Sequence, residues 1–148
     1  MRLFRAIVLV LVGVAVGLAW NRWSGRGIEL HANALIQPGE PSEIQASEAK
    51  ARLGKALFLD ARPDLFYKYG HIPGALSLPE DKFDAVYPAL ETRLKDSLDI
   101  VVYCSGMGCE ASHIVARRLR EKGLPAVVLH EGWPAWTDAG YPTEGEKR

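Results

Sequence analysis

Two cysteines, Cys104 and Cys109, are the residues of this 148-residue chain best placed for covalent chemistry. They bracket the stretch Cys104-Ser105-Gly106-Met107-Gly108-Cys109, which follows the apolar run Ile100–Tyr103 and precedes a helical pattern over Glu110–Lys122. The thiolate is the nucleophilic form of cysteine, and oriented N–H groups or a helix N-terminus lower its pKa. Two glycines let the backbone curl so that the N–H groups of Ser105 through Cys109 face inward, and the helix start adds free donors. Cys104, at the base of that loop, is the expected nucleophile, and a persulfide fits the same cradle. The default role of a free cysteine is a small buried hydrophobe; its place at a strand end before a glycine loop favours a working thiol.

Cys109 admits three roles: a resolving thiol that pairs with Cys104, a second sulfur carrier, or a spectator. A disulfide is open to the pair if the Cα atoms come within about 4.4–6.8 Å, and an oxidising compartment favours it. Glu110 reads as a carboxylate in the first turn of the helix, stabilised by its dipole. Ser105 and Ser112 read as loop and cap hydroxyls, since no base lies near them in sequence. His31, His71, His113 and His130 are scattered and show no metal-ligand spacing, so no metal is expected. Two cysteines are too few for a disulfide scaffold. Trp133 and Trp136 read as core residues, and Arg117, Arg118, Arg120 and Lys122 as a solvated helix face.

The elements that must position the loop alternate along the chain. Helical segments are expected over Ser47–Leu53, Asp64–Tyr69, Asp84–Lys95 and Glu110–Lys122. Short apolar strands are expected at Ala56–Leu59, Ala75–Leu78, Ile100–Tyr103 and Ala126–Leu129. Strands separated by helices imply an α/β fold whose largely parallel sheet is covered on both faces. Ligands of such sheets bind beyond the carboxyl ends of the strands, which is where Cys104 falls.

Four segments in order carry a family resemblance: Asp60-Ala61-Arg62, Gly70-His71-Ile72-Pro73-Gly74-Ala75, the strand–Cys104–loop–helix unit, and Glu131-Gly132-Trp133-Pro134-Ala135-Trp136 with Ala139-Gly140-Tyr141-Pro142. Together, over roughly residues 44–142, they resemble a single rhodanese domain. The resemblance implies a three-layer α/β fold around a mostly parallel five-stranded sheet. It implies a sulfurtransferase in which Cys104 takes a sulfane sulfur from a donor, becomes a persulfide and passes the sulfur to a thiol acceptor, with no cofactor. It also implies that Asp60 and Arg62 form a structural charge pair beside the site and that Gly70–Ala75 is a turn.

The loop departs from the family pattern. It has no Lys or Arg between Cys104 and Arg117 and carries Cys109 and Glu110 instead. If Ser112 matches the family's helix-opening serine, the loop is about two residues longer than the usual one. The donors to consider are thiosulfate, a polysulfide and a protein persulfide; the missing cation and the longer loop disfavour thiosulfate, a dianion, and favour a smaller or neutral carrier or a protein persulfide. The phosphatase relatives of this fold grip phosphate with an arginine six residues after the cysteine; here that residue is Glu110, which repels phosphate. Two rival readings remain at this point: a dithiol redox module cycling Cys104–Cys109, and a non-catalytic binding domain.

The formal net charge of zero hides an asymmetry. Residues 1–27 carry four arginines and no acid, which leaves the remainder with 14 basic and 18 acidic side chains. No basic stripe exists for a phosphate backbone, so nucleic acid is not an expected partner. Ala6–Trp20 is an uninterrupted apolar run after a basic start, the pattern of a signal anchor or an export signal. Arg22, Trp20 and Trp23 resemble an interfacial belt and favour an anchor, while Gly17-Leu18-Ala19 offers a cleavage site. The expected organisation is an anchor or signal over residues 1–26, a linker over 27–42 with a short strand near Ile28–Leu30, and the folded domain over 43–145. The domain is expected on the membrane's extracytoplasmic, periplasmic face, tethered through residues 6–20, or free in that compartment if the N-terminus is cleaved.

Overall fold

The computed structural model describes residues 2–23 and 39–146. The chain divides into two units, Met1–Ala34 and Leu35–Arg148. The first contains helix α1, Arg2–Trp23. Among the described residues no helix is long and apolar enough to cross a membrane. The strand expected near Ile28–Leu30 lies outside the described residues, as does His31.

The second unit runs β1 (Glu43–Ile44), α2 (Ala46–Ala51), β2 (Leu57–Asp60), α3 (Asp64–Tyr69), β3 (Leu76–Ser77), a 3-10 turn (Glu80–Lys82), α4 (Phe83–Lys95), β4 (Ile100–Tyr103), α5 (Ala111–Glu121), β5 (Ala126–Leu129) and α6 (Gly132–Asp138). The five strands form one sheet in the order β1-β5-β4-β2-β3. Every pairing in it is parallel, so the expected α/β architecture is the one adopted.

β4 is central, and its composition explains why. Ile100 and Val102 face one layer with Leu59, Phe83, Leu94, Val115 and Leu119. Val101 and Tyr103 face the other with Phe58, Ile72, Leu129 and Trp136. A strand buried on both faces must be apolar at every position, and all four residues of β4 are fully buried. Tyr103 places its hydroxyl where the backbone N–H of Ile72 donates to it at 3.1 Å. Burial, then the nearby Asp60 charge, pushes its pKa well above the usual tyrosine value.

Three elements have no counterpart in the sequence reading: β1, the 3-10 turn and α6. β1 has only two residues and one buried side chain, so it leaves no periodic trace. α6 contains Gly132 and Pro134, which read as loop formers; in its first turn proline removes an N–H that has no intrahelical acceptor. α2 starts one residue before Ser47, with Gln45 at the cap position and no side-chain cap. Glu110 sits just outside α5 rather than in its first turn.

Candidate functional site

Cys104 follows the last residue of β4 at the carboxyl edge of the sheet, and is 2% exposed. Two contacts with the start of α6 hold it. The N–H of Trp133 donates to the Cys104 carbonyl at 2.7 Å. Gly132 lies so close that an added Cβ would sit 2.3 Å from the same carbonyl oxygen. Its φ is +56°, and that of the preceding Glu131 is +55°, a left-handed conformation that non-glycine residues rarely adopt. Backbone held in this way is set by the surrounding packing.

Cys104 and Cys109 are joined as a disulfide, with Cα atoms 6.3 Å apart. Gly106 (φ +133°) and Gly108 (φ +75°) supply the turn. The Cys109 N–H donates to the Gly106 carbonyl at 3.1 Å. That donor is spent within the loop in the disulfide form, a correction to the expectation that every N–H from Ser105 to Cys109 turns inward. Met107 projects from the tip, 83% exposed, and Ser105 is exposed beside it. Ser112 is buried within the first turn of α5.

A cleft of about 150 Å³ opens on the disulfide, with Glu43, His113, His130 and Glu131 among its lining residues and no lysine or arginine. Glu43 bridges both histidines: His113 Nε2 lies 3.0 Å from one carboxylate oxygen and His130 Nδ1 contacts the other. The hydrogen bond from His130 holds the Glu43 carboxyl below its ordinary pKa, against a smaller opposing effect of burial. Glu40 and Glu131 stand at the outer edges, 3.9 Å and 4.0 Å from His113 and His130. The reading of all four histidines as scattered is therefore corrected for these two. No sequence signal marked them, because strand β1 and the crossovers bring residues 43, 113 and 130 together.

The other flank is built differently. Asp60 and Arg62 are both buried and paired: Arg62 Nη2 donates to Asp60 Oδ2 at 2.6 Å and Nε to Oδ1 at 2.9 Å. Arg62 Nη2 also donates to the Gly70 carbonyl at 2.6 Å. The guanidinium carbon stands 4.5 Å from the Trp133 ring centroid, so the ion pair is keyed to the residue that holds Cys104. Arg62, Phe66, Tyr69, Ser105 and Trp133 line a second cleft there. On the loop's third side Arg117 pairs with Glu40 at 2.7 Å. Both arginines near the loop are thus committed to carboxylates. Trp136 is fully buried, its indole N–H donating to the Pro142 carbonyl. His71 Nδ1 donates to the Tyr67 carbonyl at the Gly70–Ala75 turn.

Among the described residues no group of His, Cys, Asp and Glu side chains is arranged to hold a metal ion. The arrangement amounts to two bonded sulfurs at a strand end, a His–Glu–His cluster beside them, and an anionic rim.

Comparison with known proteins bears on what such a site does. The profile of a family described as rhodanese-like domain matches residues 45–139. A stretch of 94 residues is 33% identical to an HTH-type transcriptional regulator of Mycobacterium tuberculosis, covering 62% of this chain and 38% of that protein. A stretch of 93 residues is 33% identical to the tRNA uridine(34) hydroxylase of Sodalis glossinidius, covering 48% of this chain and 26% of that one. The chain thus spans well under half the length of either relative. Among solved structures, the rhodanese-like domain of an Anabaena protein is 32% identical with a TM-score of 0.60, over 73% of this chain and 81% of that one. A rhodanese-related protein of Thermoplasma volcanium shares the fold, with a TM-score of 0.62 at 23% identity over 71% of this chain and 99% of that one.

Proposed function

This chain belongs to the rhodanese-like family, and on that premise we propose that it is a sulfurtransferase whose Cys104 carries a sulfane sulfur as a persulfide. The observation that carries the reading is the position of Cys104: it ends the central strand, is pinned through its own carbonyl, and its sulfur borders an open cleft. In the reduced form the Cys104 thiolate attacks the outer sulfur of a donor. That sulfur stays on Cys104 and the remainder of the donor leaves as a thiolate or an equivalent anion. An acceptor thiolate then removes the sulfur and restores Cys104. Glycines Gly106 and Gly108 shape the loop around the bound sulfur, with Ser105, Met107, Cys109 and Glu110 forming its rim. The Asp60–Arg62 pair and Gly132 position the thiol without touching the sulfur. This chemistry needs no metal or organic cofactor.

The donor favoured by the cleft is a neutral sulfane-sulfur carrier or a protein persulfide. The lining carboxylates and the two committed arginines disfavour thiosulfate. Working in an extracytoplasmic compartment accords with the Cys104–Cys109 disulfide. The apolar stretch 6–20 acts in this reading as the export signal or membrane-attachment element. Fractionation of the tagged full chain tests that placement; recovery in the cytosol alone would refute it.

The decisive experiment is intact mass after reduction and exposure to a sulfane-sulfur donor. The expected result is the gain of one sulfur atom, lost in Cys104→Ser. Retained loading in that variant would exclude Cys104 as carrier. A second reading, a dithiol redox module, is favoured by the disulfide itself; in that case loading never occurs and both cysteines are required for electron exchange.

A further inference from the structure

We propose that Cys109 discharges the persulfide, so that the loop converts a transferred sulfur into hydrogen sulfide and ends each cycle as the Cys104–Cys109 disulfide. This rests on the sulfurtransferase reading and assigns the fate of its sulfur.

Three observations carry it. The two sulfurs are within bonding reach across a five-residue separation, so Cys109 reaches the inner sulfur of a persulfide on Cys104. Cys109 borders the same cleft as Cys104 and is half-buried, whereas Cys104 is 2% exposed. His113 lines the clefts on both sides of Cys109 and is tied through Glu43 to His130. Imidazoles exchange protons near neutral pH, and this step moves protons at two sulfurs.

The step balances as written. Cys109 gives up its proton to the histidine cluster, and its thiolate attacks Sγ of Cys104. A bond forms between the two cysteine sulfurs, and the bond from Cys104 Sγ to the outer sulfur breaks. The outer sulfur takes that electron pair and a proton and departs as hydrogen sulfide. It is reduced by two electrons, and the two cysteine sulfurs are oxidised to the disulfide. An external dithiol reductant resets the loop by thiol–disulfide exchange. The rim suits the product: an anion leaving a cleft lined by Glu43 and Glu131 is expelled rather than held.

The test uses the full chain, reduced and freed of reductant, mixed with a neutral alkyl persulfide and followed by intact mass and by sulfide release. Wild type is expected to gain one sulfur atom transiently, then lose it together with two hydrogens, releasing one hydrogen sulfide per disulfide formed. Cys109→Ser and Cys109→Ala are expected to hold the extra sulfur and release none. If wild type keeps its persulfide as long as the two variants do, discharge by Cys109 is refuted while the carrier reading stands. If neither Cys109 variant ever gains sulfur, the carrier reading fails and takes this inference with it. If the variants gain the donor's alkylthio group instead, the chain is a dithiol exchanger, and both proposals are overturned.

Discussion

Cys104 is held between two unlike flanks. On one side Asp60 and Arg62 form a closed, buried ion pair whose guanidinium also donates to the Gly70 carbonyl and lies over the half-buried Trp133 indole. On the other, Glu43, His113 and His130 line an open cleft beside the disulfide. The first flank gives Cys104 a fixed address. The second meets whatever enters the cleft. Rigidity and reactivity are thus divided between residues that never exchange roles, and the disulfide lies on the reactive side.

The contrast predicts a graded series of effects. The largest belongs to the closed flank. Asp60→Ala leaves the Arg62 cation buried and unpaired and is expected to cost about 3–5 kcal/mol in urea unfolding. A loss under about 1 kcal/mol would mean that the pair is not what holds this side. Next comes Gly132→Ala, which forces a Cβ against the Cys104 carbonyl. The expected cost is about 3 kcal/mol from strain and clash, with sulfur loading impaired because the thiol shifts; unchanged loading would show that the pin is dispensable.

Reducing the disulfide should matter less. Opening so short a loop is expected to lower stability by about 2 kcal/mol on chain-entropy grounds, measured as the shift in unfolding midpoint between oxidised and reduced chain. An unchanged midpoint would place the linkage outside the stability of the fold.

The smallest effect belongs to the open flank. Glu43 has a depressed carboxyl pKa in the folded chain. Its bridge therefore contributes stability above the ordinary carboxylate pKa of about 4.3 and loses it as pH falls through the lowered folded value. Because the group is 39% exposed, the contribution is small. Glu43→Gln should unfold slightly more easily than wild type near pH 6, with the difference shrinking as pH falls through the lowered folded value. A difference that grew on acidification would contradict the assignment of the bridge.

The sequence by itself determined the architecture and the place of Cys104 at the end of a central strand. Four apolar runs separated by helical patterns admit little but a covered parallel sheet, because a strand buried on both faces has no polar positions to spare. Cys104 was legible because the loop chemistry is local: strand end, two glycines, helix start. The Asp60-Ala61-Arg62 segment likewise drew attention through residues two apart. What lay beyond reach was everything assembled by crossovers. Glu43 sits in a strand too short to leave a period, and it meets His113 and His130 only because β1 pairs with β5 at the sheet edge beside α5. Gly132 and Trp133 stood out only as part of a family segment, and only the folded chain places them on the Cys104 carbonyl. The tertiary structure also decided that Cys109 reaches Cys104, since a five-residue separation permits a bond without compelling one. The physical reason is common to all three. Sequence records the preferences of neighbours along the chain, whereas the contacts around this thiol span up to 87 residues and exist only after the sheet has closed.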